Sequence, residues 1–229
     1  MAYIGQAPTP LPLTATDIPD LPATKITSGT LADARFPSTL PAVSGANLTG
    51  ISSGLVFLQG VDADNSAAAI TVGSSSLFSS TYKVYMLQGI NITMATDTAN
   101  MHVQYIIGGA TKSDTYYAYV RTRMYSGSAA VSGYNSSGDS QIPYVGESMG
   151  TAAGENGYFT AYLYNPADTN DYKTFQMISG TQDSNRDQQI NVTSGTYKAD
   201  TGAVTGISFF SSSGNIAAGR FNLYGIANA

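Results

Sequence analysis

The sequence predicts an all-β protein in which an extended, intertwined stalk leads into a C-terminal, jelly-roll-like antiparallel β-sandwich. Three observations carry this expectation. Residues 16–51 are too apolar for a soluble linker and too broken by proline and glycine to bury their own side chains. From about residue 54 the chain becomes a series of strand-length runs separated by turn clusters. Nowhere does it hold a convincing helical period.

Residues 1–13 open the chain as a proline-rich arm, with Pro8, Pro10 and Pro12 and with Tyr3 and Ile4 as anchors. Such a segment orders only against a partner. Residues 14–53 form the stalk. Ile18, Leu21, Ile26, Leu31, Phe36, Leu40, Val43, Leu48 and Ile51 recur through it, interrupted by Pro19, Pro22, Pro37, Pro41, Gly29, Gly45 and Gly50. Those interruptions exclude a long helix and a central strand. Identical chains wound side by side would bury what one chain cannot. Leu21-Pro22-Ala23 returns as Leu40-Pro41-Ala42, a weak repeat that fits units needing neighbours. One helical turn is expected at 30–34.

Residues 54–229 make the head domain. Strands are expected at 82–93, 101–107, 115–125, 158–164, 172–178, 189–197, 204–210 and 220–226, where β-branched and aromatic residues dominate. In 115–125 the alternation places Thr115, Tyr117, Tyr119, Arg121, Arg123 and Tyr125 on one face. The longest break, 126–157, reads as a functional loop.

Composition bounds the chemistry. The chain of 229 residues is 42% hydrophobic but only 11% charged, with net charge −5 and no basic stripe, which disfavours a nucleic-acid partner. It contains no cysteine, so disulfides and thiolate metal sites are excluded. Its start lacks the charged and apolar regions of a signal peptide, and no run approaches the ~20 apolar residues of a membrane helix, so no membrane insertion is expected. A protein folding in a cytoplasm and leaving by lysis fits these features.

Catalytic constellations are scarce. The only histidine, His102, lies in an expected strand with no acidic neighbour and reads as structural or interfacial. No G-x-S-x-G elbow surrounds any serine. Glu147 and Glu155 flank the long break and are the acids on which a glycan-cleaving reading would rest, although solvated loop charge explains them more simply. The run from Asp183 to Asp187 imitates the opening of a calcium loop but lacks its glycine and distal glutamate; a tight polar turn explains it, as it does Asp168 to Asp171. Neither a metal nor a cofactor is implied. Sixteen tyrosines are the unusual resource. Tyrosine offers a rigid face on which sugar rings stack, and amides and carboxylates bond their hydroxyls. Tyr134, Asn135, Asp139, Gln141, Tyr144 and Glu147 combine these groups and are the expected receptor-binding set.

The stalk TDIPDLPATKITSGTLADARFPSTLPAVSGANLTGI resembles repeats of tail fibres and related fibrous virion proteins of tailed bacteriophages. Met1 to Gly5 looks like the virion-anchoring start of such fibres. The ending, with Phe209, Gly214-Asn215-Ile216, Gly219 and Phe221 to Ile226, is similar to that of many phage structural β-domains. The resemblance implies a homotrimer, docked to another virion protein through Tyr3 and Ile4, whose head attaches to a host surface glycan. It implies a receptor-binding, non-enzymatic viral structural protein located in the virion and assembled in the host cytoplasm. A capsid-attached head fibre or decoration protein with a structural role is the alternative.

Overall fold

The structure is a computed structural model that describes residues 54–227; the docking arm, the stalk and the helical turn expected at 30–34 lie outside the described residues. Within 54–227 every regular element is a β-strand and every pairing is antiparallel. Two sheets pack face to face in a sandwich-like arrangement.

The larger sheet has eight strands. From one edge to the other they are β1 (Leu55–Ala63), β13 (Ile216–Ile226), β3 (Val84–Met94), β9 (Gly157–Tyr164), β10 (Thr174–Gln182), β11 (Gln188–Tyr197), β6 (Tyr117–Tyr125) and β7 (Ser128–Asp139). The smaller sheet runs β2 (Ala69–Val72), β12 (Val204–Ser211) and β4 (Ala99–Ile107). The far edge of β4 is shared by the short β5 (Ala110–Thr111) and by β8 (Ile142–Met149).

All eight expected strands are present as β3, β4, β6 and β9 to β13. The stretch 126–157 is not a loop. It holds β7, which pairs with β6 along its length, and β8, which pairs with β4 through two register shifts. Neighbours supply what propensity withholds: β7 is rich in serine and glycine, and β8 carries Pro143.

The core lies between the sheets. Leu87, Phe159, Leu163, Phe175, Phe221 and Leu223 face it from the larger sheet, and Val103, Tyr105, Ile207 and Phe209 from the smaller. Buried hydroxyls find partners. Tyr85 Oη donates to the carbonyls of Leu77 (2.9 Å) or Ser79 (3.0 Å) and accepts from Ser79 N–H (2.9 Å), tying the β2–β3 connection to the core. Tyr117 Oη donates to Lys112 O and accepts from Tyr105 N–H at 2.7 Å, which joins the sheets across β4 and β6. Gly219 sits in β13 at φ 131°, where a Cβ would stand 2.9 Å from the Ile92 Cα, so the bulge between β13 and β3 requires glycine.

His102 stands on β4, 6% exposed, with its ring 5.4 Å from that of Phe210. Burial pushes its pKa down to about 4; the Asp139 carboxylate opposes the shift and the Arg121 guanidinium assists it. The unfolded chain takes up this proton as pH falls through ~6.5, whereas the folded chain resists until about 4. Stability is therefore intact above ~6.5 and lost progressively towards 4, by about 2–3 kcal/mol in total. Urea titrations at pH 7 and pH 4.5 should show a larger loss for the native protein than for His102→Gln. Equal losses would mean that His102 is not the titrating group.

Candidate functional surfaces

Three places on the head concentrate unusual chemistry. The first is an internal polar cluster. Alternation along β6 is as expected, and the face that turns inward is the one bearing the arginines. The side chain of Arg121 is 1% exposed and its Nη1 donates to Glu147 Oε2 at 2.8 Å and to Asn191 Oδ1 at 3.3 Å. Arg123 Nη1 donates to the other Glu147 oxygen at 2.8 Å. The Arg121 guanidinium lies 4.1 Å from the centre of the Tyr134 ring. Around it the inner face of β10 and β11 is polar: Ser179, Thr181, Gln189, Asn191 and Thr193 are all buried. Ser179 Oγ, Thr181 Oγ1, Asn191 Nδ2 and Thr193 Oγ1 make no hydrogen bond within the protein.

The second place is the outer face of the eight-stranded sheet, whose side chains line up in rows across the strands. One row begins at Phe57 on β1 and passes through Tyr224, Met86 and Tyr162. It continues through Gln176, Ser194 and Val120 to Asn135 on β7. The next row begins Gly60, Asn222, Gln88, Thr160 and continues Ile178, Val192, Thr122, Gly133. Neither row holds a charged residue. Phe57 is 54% exposed, Val120 61%, Ile178 56% and Val192 46%; Met124 and Val131, in the row beyond, are exposed too. Across β9, β10, β11, β6 and β7 these rows floor a cleft of about 940 Å3.

The third place is the end of the sandwich opposite Leu55. β1 starts beside Ile226 and ends beside Gly219, so the far end is the one where β3, β6, β8, β10 and β12 hand over to the next strand. Loops there are knitted by backbone bonds: Ala95 N–H to Asn215 O, Thr98 N–H to Met149 O, Gly150 N–H to Gln182 O and Ser126 N–H to Gln188 O. Asn215 Nδ2 adds a bond to Asn65 O at 2.7 Å. Asp183 is the pivot of its turn, its Oδ1 accepting from the N–H groups of Asn185 (2.8 Å) and Asp187 (3.0 Å). The tight-turn reading of 183–187 therefore holds, and so does that of 168–171, where Asp168 Oδ1 accepts from Asn170 and Asp171 N–H. Tyr125 Oη donates to Asp187 Oδ2 at 2.8 Å, which pushes the phenol up to about 12. Asn65 (φ 64°), Thr98 (φ 62°) and Arg186 (φ 65°) hold left-handed backbone in these loops, a strained conformation for residues with a side chain.

The expected receptor set is divided among these places. Asn135 lines the outer-face cleft from β7, whereas Tyr134, opposite Arg121 in the register, stands with the internal cluster. Asp139 ends β7 and accepts from Ser140 N–H at 2.7 Å, and Gln141 Oε1 accepts from Ser140 Oγ–H at 3.2 Å. Tyr144 belongs to β8. Glu147 is held between two guanidinium groups inside the sandwich. Glu155, the other acid weighed for catalysis, is 4% exposed and accepts from Ala152 N–H at 2.8 Å, with Arg186 3.8 Å away. Tyr3 and Ile4 lie outside the described residues. The far-end loops, whose runs of Asp, Asn, Ser and Thr beside turn glycines read in the sequence as turns, contribute no residue to that expected set. Comparison with known protein families, with curated proteins and with solved structures finds no match.

Proposed function

We propose that the protein is a bacteriophage virion fibre that adheres to a bacterial surface glycan as a homotrimer. Residues 1–13 dock it to another virion protein, residues 14–53 form a trimeric stalk, and the head makes the contact. A jelly-roll kinship of the head belongs to the same reading, supported by two antiparallel sheets whose spatial neighbours are mostly not sequence neighbours.

The observation that carries the adhesive role is the far-end surface. The described chain starts at one end of the sandwich, and the opposite end presents linked loops built from small polar residues in strained backbone. Carboxylates, amides and hydroxyls held this way match the vicinal hydroxyls of a sugar, and strain of this kind accumulates where function requires a fixed geometry. Each contact is weak, and three heads on one fibre would supply avidity. Binding rather than hydrolysis is favoured because Glu147 is already engaged by Arg121 and Arg123.

The test is adhesion of the labelled full chain to a panel of bacterial strains, with surface polysaccharide extracted from a bound strain as competitor. Competition is expected, together with a loss of at least ~10-fold in binding for a variant of unchanged native mass that combines Asp97→Ala, in the exposed turn between β3 and β4, with Asn185→Ala, in that between β10 and β11, about 1.4 kcal/mol or more. Adhesion that polysaccharide cannot compete would reject the glycan. Absence of adhesion to every strain, with the protein found on capsids, would move the assignment to a decoration protein.

A further inference from the structure

We propose that the outer face of the eight-stranded sheet is an interface between copies of this chain, an inference that rests on the self-association in the reading above. A sheet face turned to water ordinarily alternates charge and polarity against an apolar inner face. Here the order is reversed over β10, β11 and β6. Ser179, Asn191, Thr193 and Arg121 point inward, while Ile178, Val192 and Val120 point outward. From β3 to β7 the two central outer rows carry no charge; at the β1 edge the Arg220 guanidinium, paired with Asp62, reaches in from the next row over Gly60 and Asn222. Tyrosine and methionine enriched, and lysine and glutamate missing, is the composition of the buried centre of a protein–protein contact.

Size agrees. Eight strands spaced ~4.8 Å, crossed by four rows ~7 Å apart, give a face of roughly 38 Å by 20 Å, on the order of 800 Å2. That is about the area each partner contributes to a stable interface of standard size.

The occupant is a second copy rather than a sugar, because the cleft floor is aliphatic at Ile178, Val192 and Val120 and offers no carboxylate. It is a second copy rather than a foreign protein for a reason of connection. β1, at the edge of this sheet, continues directly from residues 14–53, the segment read as self-associating. Copies joined through that segment hold their sheets at roughly millimolar effective concentration, so even a modest affinity of face for face is saturated.

The chain has no cysteine, so a single introduced thiol reports one position. Val192→Cys, Ile178→Cys and, as an exposed-turn control, Ser184→Cys would be made in the full chain. Each is labelled with iodoacetamide, native mass is taken by light scattering, and urea-unfolded protein gives the intrinsic rate. The expected result is an oligomer in which Cys at 192 and at 178 reacts at least ~10-fold more slowly than Cys at 184. An oligomer in which all three react alike would overturn this interface and leave the fibre reading standing, with association placed elsewhere. A monomer with reactive thiols would overturn both the interface and the homotrimer. Protection that appears only on adding host polysaccharide would overturn the interface and make the cleft a ligand site.

Discussion

Replacing Phe209 by alanine is expected to destabilise the head by about 3–5 kcal/mol, read as a fall in the urea midpoint with little change in slope. Phe209 belongs to β12 in the smaller sheet, and its ring meets two rings of the larger one, Phe159 on β9 at 4.9 Å and Phe221 on β13 at 5.3 Å. It is fully buried. Truncation removes the apolar area of the ring and leaves a cavity between layers whose backbones are fixed by ladders on both sides, so little collapse can fill it. Phe209→Leu, which keeps most of the volume, should cost about 1–2 kcal/mol. A loss below about 1 kcal/mol for the alanine variant would show that the sheets are held together elsewhere.

Removing the carboxylate of Glu147 is expected to be as damaging, by a different route. Glu147→Ala strips the carboxylate from the Arg121 guanidinium inside the sandwich, where the neutral Asn191 amide does not replace its charge. Breaking a buried pair by deleting one partner costs about 3–5 kcal/mol, because the surviving charge stays desolvated. Replacing both, as Arg121→Met with Glu147→Leu, removes the charge together with its partner and should recover most of the loss. The comparison separates an ion pair that stabilises from one that is merely tolerated. If the double variant is as unstable as the single one, the pair and its link to Asn191 specify how β8 seats on β6 and β11. Salt should change neither result much, since a pair this buried is weakly screened.

Much of this fold was legible from spacing and residue type. Runs such as YAYVRTRMY and GYFTAYLY hold β-branched and aromatic residues at period two between turn formers, and they are β6 and β9. β7 was not legible, because SAAVSGYNSSGD has the composition of a loop and becomes a strand through its pairing with β6. β8 was hidden by Pro143 and by the two register shifts in its pairing with β4. Which face turns inward was also beyond the pattern. In QQINVTSGTY both faces mix apolar and polar residues, and Asn191 rather than Val192 is the one buried. The expected receptor set failed to converge for the same reason. Tyr134 to Glu147 was read as one loop, but β7 carries its first members to the larger sheet and β8 carries Glu147 to the smaller.

The order in which strands are made has a consequence for synthesis. β13 lies between β1 and β3, and β12 lies between β2 and β4, so the last strands of the head to leave the ribosome fill the interior of both sheets. Until β12 and β13 are outside the tunnel, β2 and β1 respectively lack their ladder partners, and the pairing of Leu55 with Ile226 closes almost the whole head. Such long closures make folding slow, on the order of milliseconds to seconds for sheet proteins. Nascent chains would therefore wait with unpaired edges exposed, and closure of the head follows the synthesis of β12 and β13.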